Sequence, residues 1–293
     1  MGVAKWFSEF CDNLQVNNRG IIGSRYKAIT KRLNENFWNL DSDTSHSLYV
    51  GSYGRNTAIC GFSDLDMVFE LPNQLYFQYD NHEGNGQSSL LQEVRNSIKA
   101  TYPSSRIGSD GQVVVISFTD PIDFEVVPVF TNRSNSYTFP DSNDGGAWRV
   151  TNPKPEIKEI KIRNNSSNGN LFRLCRMMRA WKEQWAVPIG GLLIDTLVYQ
   201  FIANCKYSQW SYLYYDLICQ DLFRFMSNQD KEQAYWRAPG SGQRVYGKGL
   251  FQEKAKRCYN LSQKAIKYES GRPKREWSAK QKWREIFGTS FPD

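Results

Sequence analysis

Apolar positions recur at two different periods along this chain, and the change of period divides it. Over the first forty residues they follow helical spacing. Trp6, Phe7, Phe10 and Leu14 form one stripe, and Ile21, Ile22, Tyr26, Ile29 and Leu33 form another. The polar faces of both stripes are mixed in sign, which fits helices packed on a core better than helices lying on a membrane. Residues 41–45 (DSDTS) are a polar loop with turn chemistry. A short strand is predicted over 47–50, a second over 65–71, and a helix over 88–102 that Pro103 closes. Two β-branched runs, 112–118 and 122–130, are split by Thr119-Asp120-Pro121 and read as a hairpin.

After Val150 the pattern changes. Asn152, Pro153, Pro155 and the run NNSSNGN at 164–170 supply loop chemistry. Leu171, Leu174, Cys175, Met178, Trp181 and Trp185 then keep three-four spacing until Pro188. Further helices are predicted over 190–207, 209–226, 251–268 and 278–287, with a glycine-rich loop at 238–242. The pattern predicts an α+β chain: a small sheet in the first half and helices in the second.

Composition narrows the classes. A length of 293 residues suits one large or two ordinary domains. With 40% apolar and 23% charged residues, a disordered polyelectrolyte and a coiled coil are both excluded. The most apolar stretch, residues 190–203, is too short to span a bilayer and carries Asp195, so no membrane partner is expected. The opening MGVAKWFSEFCDNL lacks a secretory pattern, and six scattered cysteines without a C-x-x-C pair read as reduced thiols, so a cytoplasmic setting is expected. His46 and His82 are too few for a multi-histidine zinc site or a histidine-based triad, and His82 falls in a polar surface loop. The formal charge of +7 is local: residues 244–285 carry 13 Lys and Arg against 4 acidic residues, leaving the remainder slightly acidic. Such a patch fits nucleotide phosphates, an acidic partner or water, and it does not require nucleic acid.

The informative stretch is 51–71, GSYGRNTAICGFSDLDMVFEL. Gly51 and Gly54 let a backbone approach an anion closely, and exposed amides with the Ser52 hydroxyl suit phosphate oxygens. Asp64 and Asp66 are two apart on a predicted strand, so both carboxylates project from one face. Adjacent carboxylates repel unless a cation sits between them, and hard oxygen donors suit Mg²⁺ or Mn²⁺. Asp123 and Glu125, again two apart, are candidates for a third acid from a neighbouring strand. Taken singly, a Gly-Ser pair is an ordinary turn and a D-x-D pair an ordinary solvated strand start. Their close succession is what points to chemistry.

The G-S-x-x-R-x-T … S-D-L-D pattern, with Glu125 three residues before Pro128, resembles the DNA polymerase β-like nucleotidyltransferases. Within them it is similar to the CD-NTase family of SMODS type, bacterial relatives of cyclic GMP-AMP synthase and oligoadenylate synthase. The resemblance extends to residues 111–115, to Leu174–Trp181 as a basic helix beside a triphosphate, and to 247–268 and 282–292 as a helical C-terminus. It implies a bilobed fold with a nucleotidyltransferase core over 1–160, including the N-terminal helices, and a helical domain over 161–293. It implies Asp64, Asp66 and Glu125 as ligands of two Mg²⁺ (or Mn²⁺) ions, with Asp123 the alternative third acid. It also implies Gly51, Ser52 and Arg55 at the nucleotide, Arg179 where relatives place a lysine on the triphosphate, and Lys182 as the fallback.

No tyrosine precedes Gly190-Gly191-Leu192-Leu193-Ile194-Asp195, where oligoadenylate synthase carries a base-stacking one, so the base is not named. By resemblance the reaction joins NTPs, ATP and/or GTP, into a cyclic di- or trinucleotide second messenger in bacterial antiphage (CBASS) signalling. A downstream effector would read the product, and the family leaves room for a regulatory protein partner. The same motif also serves template-free extension of RNA or of a small acceptor. A catalytically silent nucleic-acid sensor of the same fold is the non-enzymatic alternative, against which the retained carboxylates argue.

Overall fold

The computed structural model describes residues 2–61, 64–120 and 122–293. Phe62 and Ser63 of the expected motif, and Pro121 of the expected hairpin turn, lie outside the described residues. Two long amphipathic helices open the chain, α1 (Val3–Asn13) and α2 (Arg19–Trp38), followed by β1 (Ser47–Tyr49), the single turn α3 (Gly51–Gly54) and β2 (Leu65–Glu70). Next come α4 (Asn73–Asp80), α5 (Gly86–Thr101), β3 (Arg106–Asp110), β4 (Val113–Ser117), β5 (Asp123–Thr131), β6 (Tyr137–Asp141) and β7 (Ala147–Thr151). The remainder is α6 (Pro153–Ser166), α7 (Asn170–Gln184), α8 (Gly191–Ala203), α9 (Tyr215–Ser227), a ribbon of β8 (Tyr235–Arg237) and β9 (Arg244–Tyr246), α10 (Gln252–Ser270) and α11 (Glu276–Phe287).

Residues 16–55 and 61–154 form one compact unit. Its sheet is mixed, with order β1-β2-β5-β4-β3; β2 and β5 run parallel and their other neighbours antiparallel, and β6 and β7 extend the far end of β5. Alternation along the strands explains the packing. Leu65, Met67 and Phe69 of β2 and Phe124, Val126 and Phe130 of β5 join Ile22, Ile29 and Leu33 of α2 and Leu90, Leu91 and Val94 of α5 in one core. The opposite face carries the acids and, next to them, a small apolar cluster of Val50, Val68, Val129 and Tyr137.

Residues 1–15, 56–60 and 155–293 form the second compact unit. Its core is aromatic: Phe7 meets Trp283 edge-on at 5.1 Å, and Phe10 lies 4.8 Å from Phe287. The split expected at residue 160 falls inside α6, and α1 packs with the C-terminal helices. The cause is the Trp6, Phe7 and Phe10 stripe, whose partners are Trp283, Phe287 and Phe291, near the other end of the chain. No described helix is long and apolar enough to cross a membrane.

The segment read as loop after Val150 is instead the helix α6. Pro153 and Pro155 occupy its first turn, where the backbone N–H groups have no intrahelical acceptor and their loss costs nothing. Helix α4 and strands β3, β6, β7, β8 and β9 are additions to the sequence reading. Pro140 inside β6 speaks against a strand, and only pairing with β7 overrides it. The six cysteines are free thiols. His82 is exposed, as expected of a loop residue.

Candidate active site

The parallel pairing of β2 with β5 places the carboxylates. Asp66 stands directly opposite Glu125, and alternation keeps both on the face turned away from α2 and α5. Asp64 precedes the first residue of β2 and is exposed, whereas Asp66 and Glu125 are half-buried. Asp123 is the first residue of β5, where Ser117 Oγ donates to its Oδ2 at 3.2 Å. Asp123 is thus tied to the hairpin partner β4, and Glu125 is the acid that meets Asp66.

The electrostatics record that meeting. Burial lifts the Asp66 carboxyl above the usual range, Arg55 opposes the shift and Asp64 adds to it. Glu125 is pushed up to about 7, first by burial and then by the negative charges of Asp66 and Asp64, and its side chain is hydrogen-bonded to Asp66. A carboxyl pair that retains a proton near neutrality does so because both charges cannot coexist uncompensated. All donors are hard oxygens, so the compensation they suit is a divalent cation of the Mg²⁺ type. Among the described residues no group of three or more His, Cys, Asp or Glu side chains is already arranged to hold a metal ion. With Asp64 just before β2, Asp66 and Glu125 form an acid set whose hard oxygens suit a cation.

The turn between β1 and β2 reaches the same place. Val50 N–H donates to Asp66 O at 3.0 Å, and Gly51 follows with φ of +58°. A Cβ on Gly51 would lie 1.7 Å from Asp66 Oδ2, so glycine is needed both for the backbone angle and for the clearance. Gly51, Ser52 and Arg55 therefore sit on one turn pressed against the carboxylates. Arg55 is buried, and it is the positive charge that restrains Asp66. On the other side of the turn, Tyr49 stacks on Tyr26 with ring centroids 3.9 Å apart.

The two remaining sequence candidates lie on α7, in the other unit. Lys182 is partly exposed and pairs with Glu183 at 3.1 Å. Arg179 is the residue expected at the triphosphate. It is 5% exposed and grips Asp195 of α8 through Nη1 at 2.6 Å and Nη2 at 2.9 Å. Asp195 is wholly buried, and an acid in so apolar a helix requires a cation. That lone aspartate was the sequence signal for the pairing: it rules out a membrane span and equally demands an internal partner. Thr57 Oγ1 also donates to Asp195, at 3.0 Å, a contact invisible in a linear reading.

Residues 1–164 match the domain family described as Second Messenger Oligonucleotide or Dinucleotide Synthetase (SMODS). A probable cyclic nucleotide synthase of Bacillus cereus (strain VD146) is 23% identical over 276 residues, covering 83% of this chain and 81% of that protein. The fold is similar to that of CdnC from Escherichia coli MS115-1, solved with ATP, at a TM-score of 0.69 and 14% identity, covering 99% of each chain. It is similar also to CdnG of Bradyrhizobium diazoefficiens, solved with GTP, at a TM-score of 0.68 and 12% identity, covering 97% of this chain and 94% of that one. A cyclic AMP-GMP synthase of Vibrio cholerae, DncV, follows at 0.64 and 14%, covering 99% and 87%. The sheet-borne acids, the glycine turn beside them and a family match over more than half the length agree: this chain belongs to the SMODS family of CD-NTases, the cyclic-oligonucleotide-synthesising nucleotidyltransferases.

Proposed function

We propose that the chain joins two or three nucleoside triphosphates, ATP and/or GTP, into a cyclic nucleotide second messenger. A ribose hydroxyl attacks an α-phosphate, a P–O bond forms, the bond to pyrophosphate breaks, and the hydroxyl proton passes to an active-site carboxylate. The observation that carries this reading is the Asp66–Glu125 pair across parallel strands, with the Gly51 turn pressed against it. Asp64, Asp66 and Glu125 would hold two Mg²⁺ or Mn²⁺ ions, which when bound supply charge neutralisation at the triphosphate and acidify the attacking hydroxyl. Glu125 takes the third acidic place, standing directly opposite Asp66 across the parallel strands. Backbone amides of the Gly51–Gly54 turn and the Ser52 hydroxyl hold phosphate oxygens. By the resemblance, Arg179, which is ion-paired with Asp195, and Lys182 as the fallback are the α7 residues proposed for the triphosphate.

The proposal includes a bacterial cytoplasmic setting, an effector that reads the product and a role in antiphage defence. A regulatory partner is supported by the structure of the Escherichia coli CdnC relative, solved in complex with a HORMA protein. The deciding experiment incubates purified protein with four labelled NTPs and Mg²⁺, then with phosphatase. Small phosphatase-resistant products are expected; a labelled polymer would mean template-free extension, and unchanged NTPs a silent sensor. Asp64→Ala combined with Asp66→Ala should abolish product, and full activity in that variant would overturn the metal-site assignment.

A further inference from the structure

A cleft of about 650 Å³ opens between the C-terminal end of α8 and the outer side of α9. Every residue that lines it belongs to the unit containing residues 155–293. Its volume falls among those of small-ligand sites, about 300–1,000 Å³. The apolar part of the lining is aromatic: Phe201 and Phe225 meet with ring centroids 5.8 Å apart. The polar part is largely amide. Gln200, Asn204, Gln220 and Asn228 all line the cleft, and none of these side chains has a hydrogen-bond partner among the described residues.

The charges in the lining do not cancel. Asp221 pairs with Arg224 at 3.1 Å, so those two offset each other. Lys206 stands over the Tyr207 ring at 4.5 Å and pairs with no carboxylate among the described residues. A ligand with a single negative charge balances that ammonium, whereas a triphosphate brings several charges and needs a metal to hold them. Aromatic rings offer a planar base a surface to pack on, and amide side chains offer the paired donor and acceptor that base edges match. A base carrying one phosphodiester meets all three demands. An acyl chain would leave the amides unanswered, and a sugar would leave the rings bare.

We propose that this cleft is a second nucleotide site, which takes one base and one phosphodiester of a cyclic oligonucleotide. The ligand is of the class that the carboxylate site would produce, so the proposal rests on the cyclic-nucleotide reading. It uses none of the residues assigned to that chemistry.

Cys205 lines the same cleft and can report on it. The full chain is treated with iodoacetamide and EDTA in mildly alkaline buffer, because burial raises the pKa of the Cys205 thiol. Peptide mass spectrometry then follows alkylation at that residue. Excess cyclic di-AMP or cyclic di-GMP should slow it about fivefold or more, by one plus the ratio of ligand concentration to Kd. ATP and inorganic phosphate should slow it far less. Lys206→Glu, at an exposed position, and the pair Gln200→Ala with Gln220→Ala should each lose most of the protection while keeping the wild-type Tm. Unchanged alkylation with both cyclic dinucleotides overturns the proposal, as does full protection in Lys206→Glu or equal protection by inorganic phosphate. A chain that shows the protection yet converts no NTP removes the enzymatic reading and leaves the cleft; the reverse removes the cleft alone.

Discussion

Single side chains reveal the site through what they cost. Glu125 holds its proton up to about pH 7 in the folded chain, against an ordinary value of 4.5, with burial the first cause and Asp66 and Asp64 the next. Its contribution to stability is fully present below pH 4.5 and is lost as pH rises through about 7, because the unfolded chain releases the proton first. Glu125→Gln should therefore raise metal-free stability at pH 8 by about 1–2 kcal/mol, a figure reduced for the group's partial exposure, and change little at pH 4. Added Mg²⁺ should raise the Tm of the wild type and barely move that of Glu125→Gln. Thermal melts at the two pH values, with and without Mg²⁺, check both parts, and a wild type indifferent to Mg²⁺ would count against the metal reading. Gly51→Ala fails for a steric reason, since its Cβ would meet Asp66 Oδ2 at 1.7 Å on a backbone at φ +58°. It should cost about 2–3 kcal/mol by denaturation and reduce turnover at least a hundredfold. The face that Asp66 occupies was legible from strand alternation, whereas Asp64 lies just before β2 and is exposed. The meeting of Glu125 with Asp66 was legible only as a choice, because the register between two strands fifty-odd residues apart is set by tertiary packing.

At the scale of elements, long periodic segments were readable and short composite ones were not. Helices α1, α2, α7 and α10 follow from their apolar stripes, and strands β2, β4 and β5 from β-branched runs. Helix α6 was hidden because its two prolines, read as breakers, stand at the start, where they are compatible with a helix. The connection from α2 to β1 shows how a loop can be determined by one side chain. Asn34, wholly buried on α2, has Nδ2 within hydrogen-bonding distance of Thr30 O at 3.1 Å, Ser42 O at 3.0 Å and Ser45 O at 2.8 Å, which its two N–H groups share, while its Oδ1 lies 2.6 Å from His46 Nδ1. Nothing in the residue pattern announces it, since a polar residue on the apolar side of a helix looks like a patterning fault. Asn34→Leu should strand those carbonyls and cost about 2–4 kcal/mol in urea unfolding, with Asn34→Asp intermediate. A cost below 1 kcal/mol would mean that the loop organises itself.

Each of the two compact units is assembled from segments that are distant along the chain, and this the sequence conceals most thoroughly. Composition shifts near residue 150, as it should where a sheet gives way to helices, but contacts follow complementary faces and not chain order. Residues 1–15 belong with 155–293 because Phe7 and Phe10 are fully buried against Trp283, Phe287 and Phe291. The net +9 of residues 244–285 lies within that unit as well, so α1 also covers apolar surface on the most basic part of the chain. A fragment of residues 161–293, cut where composition suggests, would expose the aromatic cluster that α1 covers, together with the α7–α9 surface beneath it. Truncating one fully buried phenylalanine already costs about 3–5 kcal/mol, comparable with much of a domain's total stability. The fragment should therefore be aggregated or molten by circular dichroism and dye binding, and Phe7→Ala in the full chain should lower the Tm by several degrees. Adding the peptide of residues 1–15 in trans to residues 155–293 should recover helical signal and a cooperative melt, with no gain from a peptide carrying Phe7→Ala and Phe10→Ala. A cooperative melt from residues 161–293 alone would show that α1 is an accessory and that the linear division is the physical one.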